Sequence, residues 1–166
     1  TPRMRVYTHT DVVGVQAGGA VKNVLAIATG ISDGLGFGDN SRAALISRGI
    51  RELVAIGRKL GGKTETLLGL AGLGDLVVTC TSKHSRNRRL GELIGQGIPV
   101  AQALERIGMV AEGYYTARSV VALEEEYQLE LPICREVYKI LHENKSPSAA
   151  VNDLMLRDPK IEEVFC

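Results

Sequence analysis

The chain has no tryptophan, and only 4% of its 166 residues are aromatic. Its three cysteines, Cys80, Cys134 and Cys166, are odd in number, scattered, and form no CxxC pair. That excludes a disulfide framework or a cysteine metal cage and fits free thiols in a reducing compartment. His9, His84 and His142 lie too far apart to suggest a metal site or a Ser–His pair. A surplus of charge is lacking too, because 20 Lys and Arg against 19 Asp and Glu leave a formal net charge of +1. That balance argues against a general binder of nucleic acid or acidic membranes, although a local patch can hide inside it. The opening TPRMRVY has neither an initiator Met nor a signal-peptide pattern and reads as part of something longer. No repeat, low-complexity run or linker interrupts residues 1–166, which read as one domain.

Glycine, by contrast, is plentiful at 19 of 166 residues, against an average of about 7%. In a helical protein such abundance points to close backbone packing or to clearance for a ligand. The hydrophobic period is helical nearly throughout. The spacing predicts a long buried helix over 12–36 that ends in the breaker GLGFG. A second helix follows, with Asp39, Asn40 or Ser41 as its cap and Gly61-Gly62 as its stop. A short helix capped by Thr64 or Thr66 leads to a glycine-rich turn, GLAGLGDL, over 69–76. Further helices are predicted over 86–95 with Ser85 as cap, 99–107, 112–128, 132–144 and 147–156. Only RMRVYT, residues 3–8, reads as a strand. The fold class is therefore all-α, with a short strand or extended segment at the N-terminal end.

Val12 to Ile31 is long enough to cross a bilayer, yet it carries Gln16, Lys22 and Asn23 near its middle. A buried core helix is the better reading. Lys22 is the sole charge between Val12 and Ser32. A buried ammonium costs several kcal/mol to desolvate unless it is partnered. A lysine kept there is either satisfied structurally or employed as an acid/base group. Helical spacing puts Lys22, Thr29 and Asp33 on one narrow polar stripe, and Gly18 and Gly19, one turn earlier, leave space beside the lysine. That stripe suits a structural Lys–carboxylate pair or the wall of a small-molecule pocket.

GLGFG and GLAGLGDL invite a nucleotide-binding label, but neither has a strand before it, and no GKS or GKT loop is present. Asp75, closing the second segment, is a candidate partner for Lys22. The run Thr79 to Arg89 is a second polar centre. Ser85, Arg86 and Asn87 at a helix start combine free N–H groups, a guanidinium and an amide, the parts of a phosphate site. The alternatives are a solvated basic helix start, or a non-catalytic domain binding a phosphorylated ligand or nucleic acid through Arg86, Arg88 and Arg89. No aromatic residue interleaves that charge as nucleic-acid binding favours. Capping accounts for Glu112, and the run Glu124-Glu125-Glu126 reads as a solvated helix face.

Three long segments, 18–49, 69–91 (GLAGLGDLVVTCTSKHSRNRRLG) and 110–117 (VAEGYYTA), closely resemble the C-terminal domain of bacterial NAD(P)-dependent glycerol-3-phosphate dehydrogenases. The resemblance covers nearly the whole chain. It implies a multi-helix bundle of the type found in the C-terminal domain of 6-phosphogluconate dehydrogenase. An N-terminal Rossmann domain, absent from this chain, would complete the active site in the cleft between the two. The implied reaction interconverts dihydroxyacetone phosphate and sn-glycerol 3-phosphate by hydride transfer with NAD or NADP, supplying a phospholipid precursor in the cytoplasm. The resemblance makes Lys22 the catalytic acid/base. It gives Asn23, Asp75, Thr79, Ser85, Arg86 and Asn87 to the substrate, and Arg86, Val110 and Glu112 to the cofactor. It further implies a homodimer, no metal, no nucleic acid and no membrane span, and a fragment inactive by itself. Gln16-Ala17 stands where many relatives have Glu-Leu. Related two-domain dehydrogenases of hydroxyacyl or sugar-acid substrates share a similar helical half, but SRN and GLGDL argue against them.

Overall fold

The computed structural model describes residues 5–158. In chain order the helices are α1 (Val12–Gly34), α2 (Asp39–Lys59), α3 (Thr64–Leu67), α4 (Asp75–Thr81), α5 (Arg86–Gly95), α6 (Val100–Ile107), α7 (Glu112–Tyr127), α8 (Pro132–His142) and α9 (Pro147–Met155). The described residues contain no strand, so the fold is all-α. Of the expected strand, residues 3 and 4 lie outside the described range and residues 5–8 carry no regular structure. A single extended segment has no neighbour here to pair with.

α1 is the axis of the fold, and α2, α4, α5 and α7 pack around it. It is long and apolar enough to cross a membrane by length and hydropathy, but Val24, Leu25, Ala26 and Ile27 are sealed in the core. Asp11 starts it. One carboxylate oxygen accepts the Gly14 N–H at 2.9 Å, and the other takes the Lys63 N–H at 2.8 Å. Those backbone bonds, that from Lys63 first, hold the Asp11 carboxyl down at about 2. The cap thus also ties the start of α1 to the α2–α3 connection.

The glycines let α1 and α5 approach backbone to backbone. A Cβ on Gly30 would lie 1.9 Å from the Arg88 carbonyl oxygen, and one on Gly91 would lie 2.1 Å from that of Ile27. No side chain fits such a seam. Asp33, at the far end of α1, is buried between α2 and α5, where it pairs with Arg42 at 2.8 Å and with Arg88 at 2.7 Å.

Several local expectations change. α2 opens at Asp39 itself, with Gly38 as its N-cap and no side-chain cap. Pro99 and Lys63 are likewise caps of α6 and α3 rather than members of them. The glycine-rich segment is one π-helical turn, Leu70–Gly74, that runs straight into α4. Glu124 is buried rather than solvated, unlike its neighbours Glu125 and Glu126. It accepts the Leu131 N–H at 3.1 Å and pairs with Arg135 at 2.7 Å. Glu52 of α2 is also buried and takes the Ile133 and Cys134 N–H groups at 2.7 and 3.0 Å. α8 has no side-chain cap of its own because Leu131 precedes Pro132; these two carboxylates supply it from other helices. Burial outweighs the hydrogen bonds and pushes the Glu52 carboxyl up to about 7. Cys80 and Cys134 are buried free thiols, both raised by burial, and Cys166 lies outside the described residues.

Candidate active site

Three helix segments converge on an open cleft of about 340 Å³. The middle of α1 brings Lys22 and Asn23, the α4–α5 connection brings Thr79, Ser85, Arg86 and Asn87, and the first residue of α7 brings Glu112. Val78, Ser82 and His84 complete the lining.

Lys22 pairs with Asp75, the first residue of α4. The lysine side chain keeps 20% of its accessibility and the aspartate 35%, so this pair borders the cleft instead of being sealed in the core. Thr79, one turn beyond, donates to the Asp75 carbonyl at 2.6 Å and lies 3.4 Å from its Oδ1. The clearance beside Lys22 comes from Gly19, where a Cβ would meet nothing within 4 Å. Gly18 does the opposite and packs, its Cβ position being 2.8 Å from the Ala71 carbonyl oxygen in the π-helical turn. The expected polar stripe divides in the same way. Thr29 bonds the Ala26 carbonyl at 2.9 Å, and Asp33 serves Arg42 and Arg88, so neither faces Lys22.

Across the cleft, Ser85 caps α5, its Oγ accepting the Arg88 N–H at 3.2 Å. The N–H groups of Arg86 and Asn87 occupy the first turn, where a helix provides no acceptor of its own, at the positive end of the α5 dipole. Asn87 is buried. Its Nδ2 donates to Asn23 Oδ1 at 3.0 Å, and its Oδ1 accepts the Gly113 N–H at 2.9 Å. Arg86 faces Glu112 at 3.5 Å, and the same carboxylate lies 3.5 Å from Asn23 Nδ2. The site is therefore a row of donors, an ammonium, an amide, a guanidinium and a helix start, suited to an acceptor-rich anion.

The family described as NAD-dependent glycerol-3-phosphate dehydrogenase C-terminus matches residues 11–152. The chain belongs to that family. It is 52% identical over 161 residues to a glycerol-3-phosphate dehydrogenase [NAD(P)+] of Fusobacterium nucleatum, covering 97% of this chain and 48% of that protein. A protein so named from Idiomarina loihiensis is 54% identical over 158 residues, covering 95% and 47%. The crystal structure of glycerol-3-phosphate dehydrogenase from Coxiella burnetii superposes with a TM-score of 0.90 at 51% identity, covering 93% of this chain and 48% of that one. A Plasmodium falciparum glycerol-3-phosphate dehydrogenase shares the fold, with a TM-score of 0.83 at 24% identity over 98% of this chain and 47% of that one. The chain spans about half the length of the curated relatives it matches.

In this glycerol-3-phosphate dehydrogenase C-terminal domain, every residue singled out from the sequence except Val110 either lines the cleft or bonds a residue that does. Val110 is exposed on the α6–α7 connection, two residues before Glu112, and is not part of the lining. Arg88, grouped with Arg86 and Arg89 as a basic patch, is mostly buried against Asp33. A nucleic-acid surface built on all three arginines therefore loses its middle member. Sequence reasoning passed over His84, Ser82 and Val78, which have no periodicity or motif of their own; their place just before the SRN motif was the available signal. Among the described residues no group of three His, Cys, Asp or Glu side chains is arranged to hold a metal ion.

Proposed function

We propose that this domain is the substrate-binding and catalytic half of an enzyme interconverting dihydroxyacetone phosphate and sn-glycerol 3-phosphate with NAD or NADP. The observation that carries the reading is a lysine held by an aspartate on one wall of a cleft, opposite a helix start bearing Ser85, Arg86 and Asn87. Arg86, the first-turn N–H groups and Ser85 bind the phosphate end, and the three-carbon body reaches across to Lys22. In reduction the Lys22 ammonium gives a proton to the C2 oxygen; in oxidation the amine takes one from the C2 hydroxyl. Asp75 holds the ammonium in place, and Thr79 holds Asp75.

A bound nicotinamide would exchange the hydride with C2. At the mouth of the cleft, Arg86 and the exposed Glu112 fit the edge of such a nucleotide, one facing its phosphates and the other its hydroxyls. The described residues offer no strand–glycine-loop–helix unit for a pyrophosphate, so the reading requires a nucleotide-binding domain beside this one. By itself the chain should turn over no dihydroxyacetone phosphate with NADH or NADPH. The intact enzyme is read as a cytoplasmic homodimer, in keeping with buried free thiols and with the family resemblance.

In the intact enzyme, Lys22→Ala should lower kcat by roughly 100-fold or more, the worth of a positioned acid/base group, while cofactor affinity stays within about threefold. Arg86→Ala should raise the KM for dihydroxyacetone phosphate at least tenfold. Equal loss of cofactor binding in the first variant would make Lys22 structural, and an unchanged KM in the second would remove the phosphate reading.

A further inference from the structure

Asn87 sits in a motif read as substrate-binding, yet its amide is engaged elsewhere. Its two polar atoms join a chain of hydrogen bonds that crosses three helices. The Gly113 N–H of α7 donates to Asn87 Oδ1 at 2.9 Å, Asn87 Nδ2 donates to Asn23 Oδ1 at 3.0 Å, and Asn23 Nδ2 reaches the Gly19 carbonyl of α1 at 3.3 Å. Both ends are backbone groups of fixed character: an N–H can only donate and a carbonyl can only accept. The chain therefore has one self-consistent direction. Turning either amide over would set donor against donor or acceptor against acceptor in a buried place, at the cost of unmade hydrogen bonds. Both side chains are buried, Asn23 at 8% and Asn87 at 6% exposure, so water cannot readily repair such an error.

We infer that Asn87 is a positioning residue that fixes the polarity of Asn23, and through it the donor character of the cleft wall between Lys22 and Arg86. The inference rests on the function proposed above. With its oxygen held by Asn87, Asn23 presents NH2 to the cleft, where Glu112 Oε2 lies 3.5 Å away in the structure. An anionic or carbonyl substrate then meets donors only. If Asn23 turned over, its carbonyl oxygen would stand beside Lys22 and repel the same substrate. The Gly113 link adds a second consequence. It docks the start of α7, where a Cβ on Gly113 would come 2.7 Å from the Asn23 carbonyl oxygen, and so sets where Glu112 stands.

Asn87→Asp separates the two links. The carboxylate still accepts from Gly113 but cannot donate to Asn23. In the intact enzyme this variant should raise the KM for dihydroxyacetone phosphate about tenfold, with kcat within about threefold of wild type. In an Asn23→Ala background, where no amide is left to orient, adding Asn87→Asp should change KM less than twofold. An unchanged KM in the single variant, or an equal rise in both backgrounds, overturns the inference, the latter because Asn87 would then act on substrate directly. Should Asn87→Asp fail to fold, Asn23→Asp serves. It still accepts from Asn87 but turns an acceptor toward the cleft, so its KM should exceed that of Asn23→Ala, and equality would overturn the inference. Arg86→Ala run alongside keeps the two claims apart: an unaffected KM there sinks the phosphate reading itself.

Discussion

The seam between α1 and α5 holds the two walls of the cleft at their separation, and a pair of glycine substitutions tests it with opposite signs. Gly19 and Gly91 both lie inside helices, where alanine is favoured over glycine by about 1 kcal/mol. At Gly19 a methyl group would meet nothing within 4 Å. Gly19→Ala should therefore stabilise by about 1 kcal/mol, raising Tm by roughly 2–4 °C for a chain of this size. At Gly91 the methyl would fall 2.1 Å from the Ile27 carbonyl oxygen and 2.8 Å from the Ile31 nitrogen, where ordinary contact begins at 3.4 Å. Those neighbours are backbone and cannot swing aside, so the helices must part by about 1 Å. Overpacking of that kind costs about 3 kcal/mol or more, which leaves a net loss of about 2 kcal/mol and a Tm lower by roughly 4–8 °C. Thermal unfolding followed by circular dichroism reads both. α5 also carries Ser85, Arg86 and Asn87, and a shift of about 1 Å at a reacting centre can cost 100-fold. Gly91→Ala should thus lower kcat/KM in the intact enzyme even at temperatures where it is folded. A Tm for Gly91→Ala within 1 °C of wild type would refute the close-packed seam.

Other outcomes follow from individual carboxylates. Glu52 has a folded pKa of about 7 against an ordinary 4.5, so the stability linked to it is complete below pH 4.5 and is lost as pH rises through 7. The loss amounts to about 3 kcal/mol at 1.36 kcal/mol per unit, and urea unfolding of Glu52→Gln should show that slope flattened. Asp11 has the reverse sign. Its carboxyl lies near 2 against 3.8, so its contribution is present above pH 3.8 and is lost as pH falls toward 2; Asp11→Asn should unfold less steeply over that range. Glu112, 59% exposed, offers Arg86 a competing carboxylate at 3.5 Å. An exposed pair is worth about 1 kcal/mol at most, so Glu112→Gln should tighten inorganic phosphate binding by up to about fivefold at low salt. Glu112→Asp, shorter by roughly 1.5 Å, should do nearly as well, whereas wild-type affinity in that variant would mean that charge alone matters.

The sequence carried the helical plan well because α1 and its partners follow the 3.6-residue period and are punctuated by Gly and Pro. Glycine abundance was read as close packing or ligand clearance, and both occur, at Gly91 and Gly19 respectively. Asp75 could be named as the partner of Lys22, although 53 residues separate them. Asp33 could not be ruled out, because helical spacing gives the face but not the height: 11 residues at 1.5 Å put it about 16 Å along the axis. Glu52 and Glu124 escaped notice for a related reason. A carboxylate in an acidic or amphipathic run looks solvated until a distant helix start needs an acceptor. The Leu131-Pro132 opening of α8, with no polar residue to cap it, was the one local sign of that need. The polarity of Asn23 was equally hidden, since it depends on Gly113 and Gly19, which lie on different helices.

The most direct test of the central claim, that the Lys22 cleft receives a phosphorylated three-carbon substrate, is a titration of the isotope-labelled chain with glycerol 3-phosphate by NMR. The account predicts saturable shifts at the backbone amides of Ser85, Arg86 and Asn87 and around Lys22, and none there with glycerol lacking the phosphate. Shifts confined to the other surface depression, by Ala55, Arg58, Lys59 and Leu129, or amides of Ser85 to Asn87 that respond equally to glycerol, would contradict it.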